Sequence, residues 1–65
     1  MAEYTSQERA AVAVFRLASR RPLTAKQLAA LSGSSVRTAQ RTLAGLGRVL
    51  PVYRDDDTGA WRLVE

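Results

Sequence analysis

Two short helical patterns meet at a glycine near the middle of this sequence. Thr24 can cap the first pattern, TAKQLAAL, and Gln27 stands three residues later, where it completes a capping box. Gly33 then ends the pattern, because glycine readily takes the left-handed angles that close a helix. Ser35 is a suitable cap for the next pattern, VRTAQRTLAGL, which ends at Gly47. The sequence therefore predicts helices at about 24–31 and 36–46.

The segment before this pair predicts a longer helix at about 5–19. Thr5 or Ser6 can cap it, and Glu8 places a negative charge in the first turn, where the helix dipole favours it. Pro22 forbids continuation, because the residue before a proline avoids helical angles. Apolar residues at i, i+3, i+4 and i+7 form a stripe that we expect to face the core. The stripe consists of Ala11, Val14, Phe15 and Ala18, with Leu17 beside it.

The last part of the sequence predicts a C-terminal β-hairpin. Its β-prone strands lie at about 49–54 and 60–64, on either side of the turn sequence DDDTG. Pro51 cannot donate to a strand ladder, which places the first strand at an edge or a bulge. Trp61 and Leu63 share one face of the second strand, and we expect this face to pack on the helices. In the helices, the expected inward residues are Leu28, Leu31, Ala39, Leu43 and Leu46.

Composition limits what the chain can do. Its 65 residues predict a single small α+β domain over 1–65, in which we expect residues 1–4 to be flexible. The absence of cysteine and histidine excludes disulfides, thiolate or imidazole metal sites and histidine-based catalysis. No apolar run approaches the roughly 20 residues that span a bilayer, and the polar N-terminus is not signal-like. We expect a protein of the prokaryotic cytoplasm or nucleoid, with no cofactor and no membrane partner.

Charge is distributed unevenly along the chain. Residues 9–54 contain nine of the ten basic residues and none of the six acidic ones. A basic body with acids at its edges suits a polyanionic partner, because its positive potential attracts phosphates. Nine of the ten basic residues are arginine, which favours planar, two-point contact with phosphate or guanine. The alternative is a soluble domain that is merely basic.

The helix at 36–46 concentrates the features that predict nucleic-acid contact. Helix, short glycine turn and helix form the helix-turn-helix motif, whose second helix enters the major groove of DNA. Arg37, Gln40, Arg41 and Ala44 form one stripe on this helix, opposite its apolar positions. Arginine can pair with guanine and glutamine with adenine, and a small alanine lets the helix lie close in the groove. No acid stands three or four residues from either arginine, so intrahelical ion pairs do not explain them.

Further residues are expected at phosphates or bases. The hydroxyls of Ser35 and Thr38 suit phosphate oxygens. Lys26 stands in the helix that crosses the DNA backbone, although a solvated lysine is an equal alternative. Val36 can contact a thymine methyl group or simply pack, and both readings stay open. The two arginines beside the hairpin turn can reach phosphates as well. The predicted DNA-binding residues are Lys26, Ser35, Val36, Arg37, Thr38, Gln40, Arg41, Arg54 and Arg62.

Three helices followed by a two-stranded ribbon form a winged helix-turn-helix, and the sequence resembles one family with this fold. SRRPLTAKQLA, SSVRTAQRTLAGL and RVLPVYRDDDTGAWRLV are similar to the N-terminal DNA-binding domains of DeoR-type and WYL-domain transcriptional regulators, over about residues 10–64. The resemblance implies sequence-specific binding of double-stranded DNA by a small regulator, such as a repressor. The most specific part is the signature Ser35, Arg37, Thr38, Gln40, Arg41, Leu43 and Leu46. Ser34, Thr42 and the acidic hairpin turn depart from the family pattern.

The acidic hairpin turn, Asp55, Asp56 and Asp57, leaves several alternatives open. DNA phosphates repel carboxylates, so the turn points away from DNA, binds a partner protein or simply reverses the chain. The alternative functions are a protein–protein adaptor that uses this acidic turn and an excisionase-like accessory DNA-binding protein of a phage or mobile element. No enzyme is predicted, because three consecutive carboxylates do not easily converge on one metal ion and no base or nucleophile accompanies them. Since one such module makes few contacts, a homodimer or tandem binding on DNA is expected.

Overall fold

Three helices followed by a two-stranded antiparallel sheet make up the fold. The computed structural model describes residues 4–64. The elements are α1 Ser6–Ala18, α2 Ala25–Ser32, α3 Val36–Leu46, β1 Val52–Arg54 and β2 Trp61–Leu63. This is the small, winged-helix-like α+β arrangement that the sequence predicts. Within residues 4–64, none of the helices combines the length and the apolar character needed to cross a membrane.

Each helix begins where the sequence predicts. Thr5, the first of the two candidate caps of α1, accepts a hydrogen bond from the Glu8 backbone N–H at 3.1 Å. The Glu8 carboxylate accepts in return from the Thr5 N–H at 2.8 Å, which completes a capping box. Thr24 opens α2 with the same reciprocal arrangement. Ser35 opens α3, and its Oγ accepts from the Thr38 N–H at 3.1 Å.

The helix ends follow the sequence less closely. Gly33 ends α2 in the left-handed conformation expected of it, with φ 67°. Gly47 ends α3 as expected, but with the right-handed angles φ −61° and ψ −15° rather than those of a left-handed cap. The end of α1 is closed before Pro22, by Arg20 at φ 62°. The N–H groups of Arg20 and Arg21 there donate to two carbonyl groups of the last turn, as in a Schellman motif.

The core is built from small and branched aliphatic side chains. Leu28, Ala39, Leu43 and Leu46 are buried as expected. The expectation for Leu31 is wrong, because its side chain is 44% exposed. Ser32 takes the buried position instead, since its hydroxyl can donate to the carbonyl of Leu28, at 2.7 Å. The core cluster consists of Ala13, Leu17, Leu23, Leu28, Ala29, Ala39, Leu43 and Leu46.

The prediction that the apolar stripe of α1 faces the core is wrong. Ala11, Val14, Phe15 and Ala18 are all exposed, Phe15 to 71%. The helix instead buries Arg9, Ala13 and Leu17, which follow one another at intervals of four residues. Both sides of α1 carry apolar residues at helical spacing, so periodicity alone does not decide which side faces the core. The observed choice seals the fully buried Ala13 and the nearly fully buried Leu17 into the core.

The hairpin is shorter than predicted and is fastened to the helices by its second strand. Residues 47–50 form turns rather than strand, and β1 begins directly after Pro51. Leu23 joins the other edge of β2, because its N–H and carbonyl exchange hydrogen bonds with Trp61 at 3.0 and 2.8 Å. Trp61 packs half-buried against the core cluster, as expected. Leu63 is half-buried beside Pro22 in a small surface cavity.

The N-terminal expectation is only partly covered by the structure. Of residues 1–4, which the sequence predicts to be flexible, residues 1–3 lie outside the described part of the chain. Tyr4 lies inside it, and its N–H donates to the carbonyl of Ser32 at 3.0 Å. The Tyr4 carbonyl accepts from Nη2 of Arg9 at 3.1 Å. These two hydrogen bonds link the start of α1 to the end of α2.

Candidate nucleic-acid interface

The outer side of α3 presents the polar stripe that the sequence predicts. Arg37, Gln40, Arg41 and Ala44 are all exposed, and together they are called the α3 face here. The opposite side of the helix carries the buried residues Ala39, Leu43 and Leu46. This division follows from helical geometry, because residues three and four apart share a side. The core contacts of α3 therefore turn both arginines and the glutamine towards solvent.

The two arginines of the α3 face carry uncompensated charge. Among residues 4–64, no carboxylate lies within ion-pair distance of Arg37 or Arg41. Arg37 also lies in the first turn of α3, where the positive end of the helix dipole disfavours a cation. No acidic residue occurs in that turn to offset it. The α3 face is thus a positive surface without internal neutralisation, which an anionic partner would relieve.

The beginning of α3 holds three more of the predicted residues. The hydroxyl of Ser35 is used locally, because it accepts from the Thr38 N–H and donates to Thr38 Oγ1 at 3.0 Å. Thr38 is half-buried, whereas Val36 is 44% exposed and is not part of the core. The exposure of Val36 therefore argues against the reading in which it only packs. Lys26 is exposed in the first turn of α2.

A groove of about 320 Å³ lies between the α3 face and the hairpin. Gln40 and Ala44 line one side of it, and Arg54 and Trp61 line the other. Arg54 and Trp61 are partners in the strand register, so both project from the hairpin side that faces the helices. The groove thereby adds Arg54 to the same surface as the α3 face. Its full lining is Ala25, Gln40, Ala44, Arg54, Gly59 and Trp61.

Arg62 lies apart from that surface. It follows Trp61 in β2, and successive strand residues project to opposite sides of a sheet. Its Nε lies 3.8 Å from Oδ2 of Asp55, and its side chain lines a separate cavity of about 80 Å³ with Arg20 and Arg21. The structure therefore brings Arg54 to the α3 face but does not bring Arg62 there.

The acidic turn is partly explained by its own hydrogen bonds. Asp55 Oδ1 accepts from the Asp57 N–H at 2.9 Å, and the Asp55 carbonyl accepts from the Gly59 N–H at 2.7 Å. Gly59 has φ 73°, which only glycine adopts without strain. Asp55 thus helps to reverse the chain, while Asp56 and Asp57 are exposed. In the part of the chain that the structure describes, no three acidic, histidine or cysteine side chains gather to hold a metal ion.

The sequence indicates only some of the residues that line the groove. Trp61 was expected in the core, yet it also forms a wall beside Arg54. Ala25 and Gly59 also line the groove, but neither carries a functional group that would indicate this in the sequence. The strand register puts Arg54 opposite Trp61, and the lining of the groove places both of them beside Gln40 and Ala44 of α3.

Comparison with known proteins identifies no relative that would indicate a function for this chain. Searches with this chain matched no protein-family model, no curated protein and no solved structure. The features that bear on function are therefore the exposed α3 face, its unpaired arginines and the groove that joins it to Arg54.

Proposed function

We propose that this protein binds double-stranded DNA through the α3 face and acts as a small transcriptional regulator. The observation that carries the proposal is the pair of exposed arginines, Arg37 and Arg41, which have no acidic partner within residues 4–64. They stand on the second helix of a helix–turn–helix, the element that enters the major groove in proteins built this way. The role is one of binding rather than catalysis.

The dimensions of α3 suit base contacts. Arg37 and Arg41 are one helical turn apart, roughly 6 Å along the axis at 1.5 Å per residue. Stacked base pairs are separated by about 3.4 Å, so this distance spans nearly two base-pair steps and the two side chains can contact different base pairs. Gln40 lies between them in the sequence, and Ala44 offers little bulk at the next turn. Each two-point contact with a base is worth about 1–3 kcal/mol of discrimination.

The surroundings of the α3 face suit contacts to phosphates. Arg54 reaches the same surface from across the groove, and Lys26 is exposed in the first turn of α2. Ser35 and Val36 stand exposed where α3 begins, and the N-terminal end of a helix favours anions. These residues position the helix, while the α3 face reads the bases. Arg62 is left out of this arrangement because it lies on the other side of the hairpin.

The resemblance to DeoR-type and WYL-domain regulators supports transcriptional repression as the biological role. The stretch SSVRTAQRTLAGL, which carries the resemblance, covers α3 and its cap Ser35. In this proposal the protein acts in the cytoplasm or nucleoid of a prokaryote. Specific sites are bound by two copies, because a single module of this size covers few base pairs.

The proposal is tested with DNA sites selected from a random duplex library by the native protein. Binding to a selected site and to an unrelated duplex is then measured by fluorescence anisotropy across a salt series. Arg41→Ala is compared with Arg48→Ala, a matched control that removes one exposed arginine just beyond α3. Arg41→Ala should lose about 1–3 kcal/mol on the selected site and less on the unrelated duplex. Arg48→Ala should weaken both duplexes about equally.

Two outcomes would reject the proposal. One is a native protein that shows no salt-dependent binding to any duplex. The other is an Arg48→Ala variant that loses discrimination as strongly as Arg41→Ala, because the α3 face would then have no special part. Circular dichroism spectra of all variants establish that a loss of binding does not come from unfolding.

A further inference from the structure

A small cavity beside β2 is lined mostly by arginine, and the proposed DNA contact does not use it. Its volume is about 80 Å³, and its lining is Arg20, Arg21, Pro22, Arg62 and Leu63. It shares no residue with the groove beside the α3 face. The three arginines are called the outer arginine cluster here. We infer that this cluster binds a phosphate group, at a site separate from the DNA-binding surface.

The outer arginine cluster gathers positive charge from two separate parts of the chain. Arg20 and Arg21 follow α1, whereas Arg62 belongs to β2. They meet because Leu23 pairs with Trp61 through two backbone hydrogen bonds, which lays the segment before Leu23 along β2. The negative end of the α1 dipole favours cations just after that helix, but it does not account for a further cation from a strand. The fold therefore holds three like charges around one cavity, and a bound anion would relieve their repulsion.

The nearest carboxylate offsets only part of this charge. Nε of Arg62 lies 3.8 Å from Oδ2 of Asp55, and the Arg62 side chain is still 42% exposed. Oδ1 of Asp55 is already used in the hairpin turn, where it accepts from the Asp57 N–H. Arg21 is exposed, and no carboxylate among residues 4–64 lies within ion-pair distance of it. Guanidinium N–H donors of Arg21 and Arg62 are therefore available to a ligand.

Arg20 stands at a backbone position that usually belongs to glycine. Its φ is 62°, and its N–H closes the end of α1 by donating to the Leu17 carbonyl at 3.0 Å. Glycine is the usual residue at such a helix end, because a side chain is disfavoured at left-handed angles. Closing the helix therefore does not require an arginine. Since residues in disfavoured conformations cluster at binding sites, anion binding gives a reason for arginine at this position.

The size and the lining of the cavity suit a phosphate group. One water molecule takes about 30 Å³ of the liquid, so a cavity of about 80 Å³ has room for a group of a few heavy atoms but not for a base. A phosphate group carries up to two negative charges and several oxygens, each of which accepts from guanidinium groups. A carboxylate offers one charge and two oxygens, and it would satisfy fewer of the three arginines. Pro22 and Leu63 add an apolar wall, which strengthens the interaction between charges beside it.

Small molecules and DNA both carry phosphate groups, and the acidic turn favours a small molecule here. Asp56 and Asp57 are exposed in that turn, whereas Leu63 is the last residue of β2, at the other end of the strand pair. A duplex along this side of the hairpin would bring a row of phosphates towards the two carboxylates. A single small phosphate avoids them. The site does not depend on DNA binding, so its failure would leave the proposed function standing.

Titration of the native chain with inorganic phosphate, followed by heteronuclear NMR at constant ionic strength, tests the inference. The backbone and Nε signals of the outer arginine cluster should shift and reach saturation. Arg21→Gln and Arg62→Gln should each raise the Kd for phosphate about tenfold, because each removes a charged hydrogen-bond donor. Arg48→Gln is the matched control, since Arg48 is an exposed arginine that lines neither the cavity nor the groove. It should leave the Kd unchanged, and circular dichroism should show all variants folded.

Two further variants separate phosphate binding from a structural role. Asp55→Asn should lower the Kd about threefold, because it removes the competing charge beside Arg62 and keeps Oδ1 as the acceptor of the turn. Arg20→Gly should raise the Kd several-fold without lowering Tm, because glycine accepts the left-handed angles. A cluster with only a structural role would show neither response.

Several results would overturn the inference. One is the absence of saturating shifts in the outer arginine cluster, and another is an Arg48→Gln variant that weakens binding as much as Arg21→Gln. Acetate that binds as tightly as phosphate would contradict the choice of ligand, since acetate should bind several-fold more weakly. A parallel titration with a short DNA duplex distinguishes the two sources of phosphate. Shifts of the cluster that the duplex causes and Arg62→Gln removes would support the DNA backbone as the ligand, and shifts with phosphate alone would support a small molecule.

Discussion

The same substitution, glycine to alanine, should have opposite effects at two positions around α3. Gly33 lies in the turn that precedes the helix, with φ 67° and ψ 29°, in the left-handed region. Gly45 lies within α3, and an added Cβ there would meet nothing within 4 Å. Alanine is disfavoured by left-handed angles and favoured by helical ones. Gly33→Ala should therefore destabilise the fold, and Gly45→Ala should stabilise it.

The magnitudes follow from these local geometries. Alanine at left-handed angles loses about 1–2 kcal/mol, and the smaller entropy of its unfolded chain returns part of this, which leaves about 1 kcal/mol of destabilisation. Gly45→Ala should gain about 0.5 kcal/mol, at the lower end for a helical glycine because Gly45 is next to the last residue of α3. Since 1 kcal/mol shifts Tm by about 4–8 °C in a domain of this size, the variants should melt about 6–12 °C apart.

Thermal unfolding followed by circular dichroism measures the difference, with urea unfolding as an independent estimate of the free energy. Gly33→Asn provides a graded control, because asparagine tolerates left-handed angles better than alanine and should melt between Gly33→Ala and the native protein. If Gly33→Ala melts at or above the native temperature, the turn between α2 and α3 does not need a left-handed residue. The arrangement that orients the α3 face would then be wrong.

Two further predictions concern the core. Arg9→Met should raise the free energy of unfolding by about 1 kcal/mol in urea titrations. The buried Arg9 Nε has no hydrogen-bond partner, no carboxylate within residues 4–64 pairs with Arg9, and replacing buried ionic groups by apolar chains is often stabilising. A decrease of similar size would show that the bond from Nη2 to the Tyr4 carbonyl matters more. Leu43→Ala should cost about 2–5 kcal/mol and leave a visibly unfolded fraction at 25 °C by circular dichroism, because Leu43 is completely buried and a domain of this size has little stability to lose; a shift in Tm of only a few degrees would contradict that burial.

The helix starts were predictable because their determinants are local. Thr5, Thr24 and Ser35 each accept a backbone hydrogen bond from three residues ahead, within a few residues of sequence. The polar stripe of α3 was predictable for a related reason. That helix carries its leucines on one side and Arg37, Gln40 and Arg41 on the other, so its orientation follows from the sequence, and Leu43 marks the side that is buried.

The orientation of α1 was not predictable, because it depends on contacts that are distant in sequence. Its two sides offer comparable apolar patterns, and Leu17 rather than Phe15 occupies the core. The side of α1 that faces the core is determined by the space that α2 and α3 leave for it. No stretch of the α1 sequence contains this information. The same limitation explains Ser32, whose burial depends on a hydroxyl bond to the carbonyl of Leu28 that hydrophobicity does not register.

The different positions of Arg54 and Arg62 show what strand register adds. Both arginines flank the acidic turn, and nothing in the sequence distinguishes the side of the hairpin to which each one projects. The register that pairs Arg54 with Trp61 turns Arg54 towards the helices, and the alternation of β2 turns Arg62 away from them. A slip of one residue would exchange the two roles. The part of the candidate site on α3 could therefore be predicted, because the helical period determines which residues share a side. The part on the hairpin could not.

The strand register also indicates how the acidic turn would affect the proposed complex with DNA. Arg62, on the outer side of the hairpin, lies near Asp55. Arg54, on the inner side, has no acidic partner among residues 4–64. The carboxylates therefore reduce positive charge on the side away from α3 and leave it intact beside the α3 face. Phosphates attract the inner side and repel the exposed Asp56 and Asp57, over about 8–10 Å in physiological salt. An acidic hairpin turn is thus compatible with DNA binding, because it favours one orientation of the domain on the duplex.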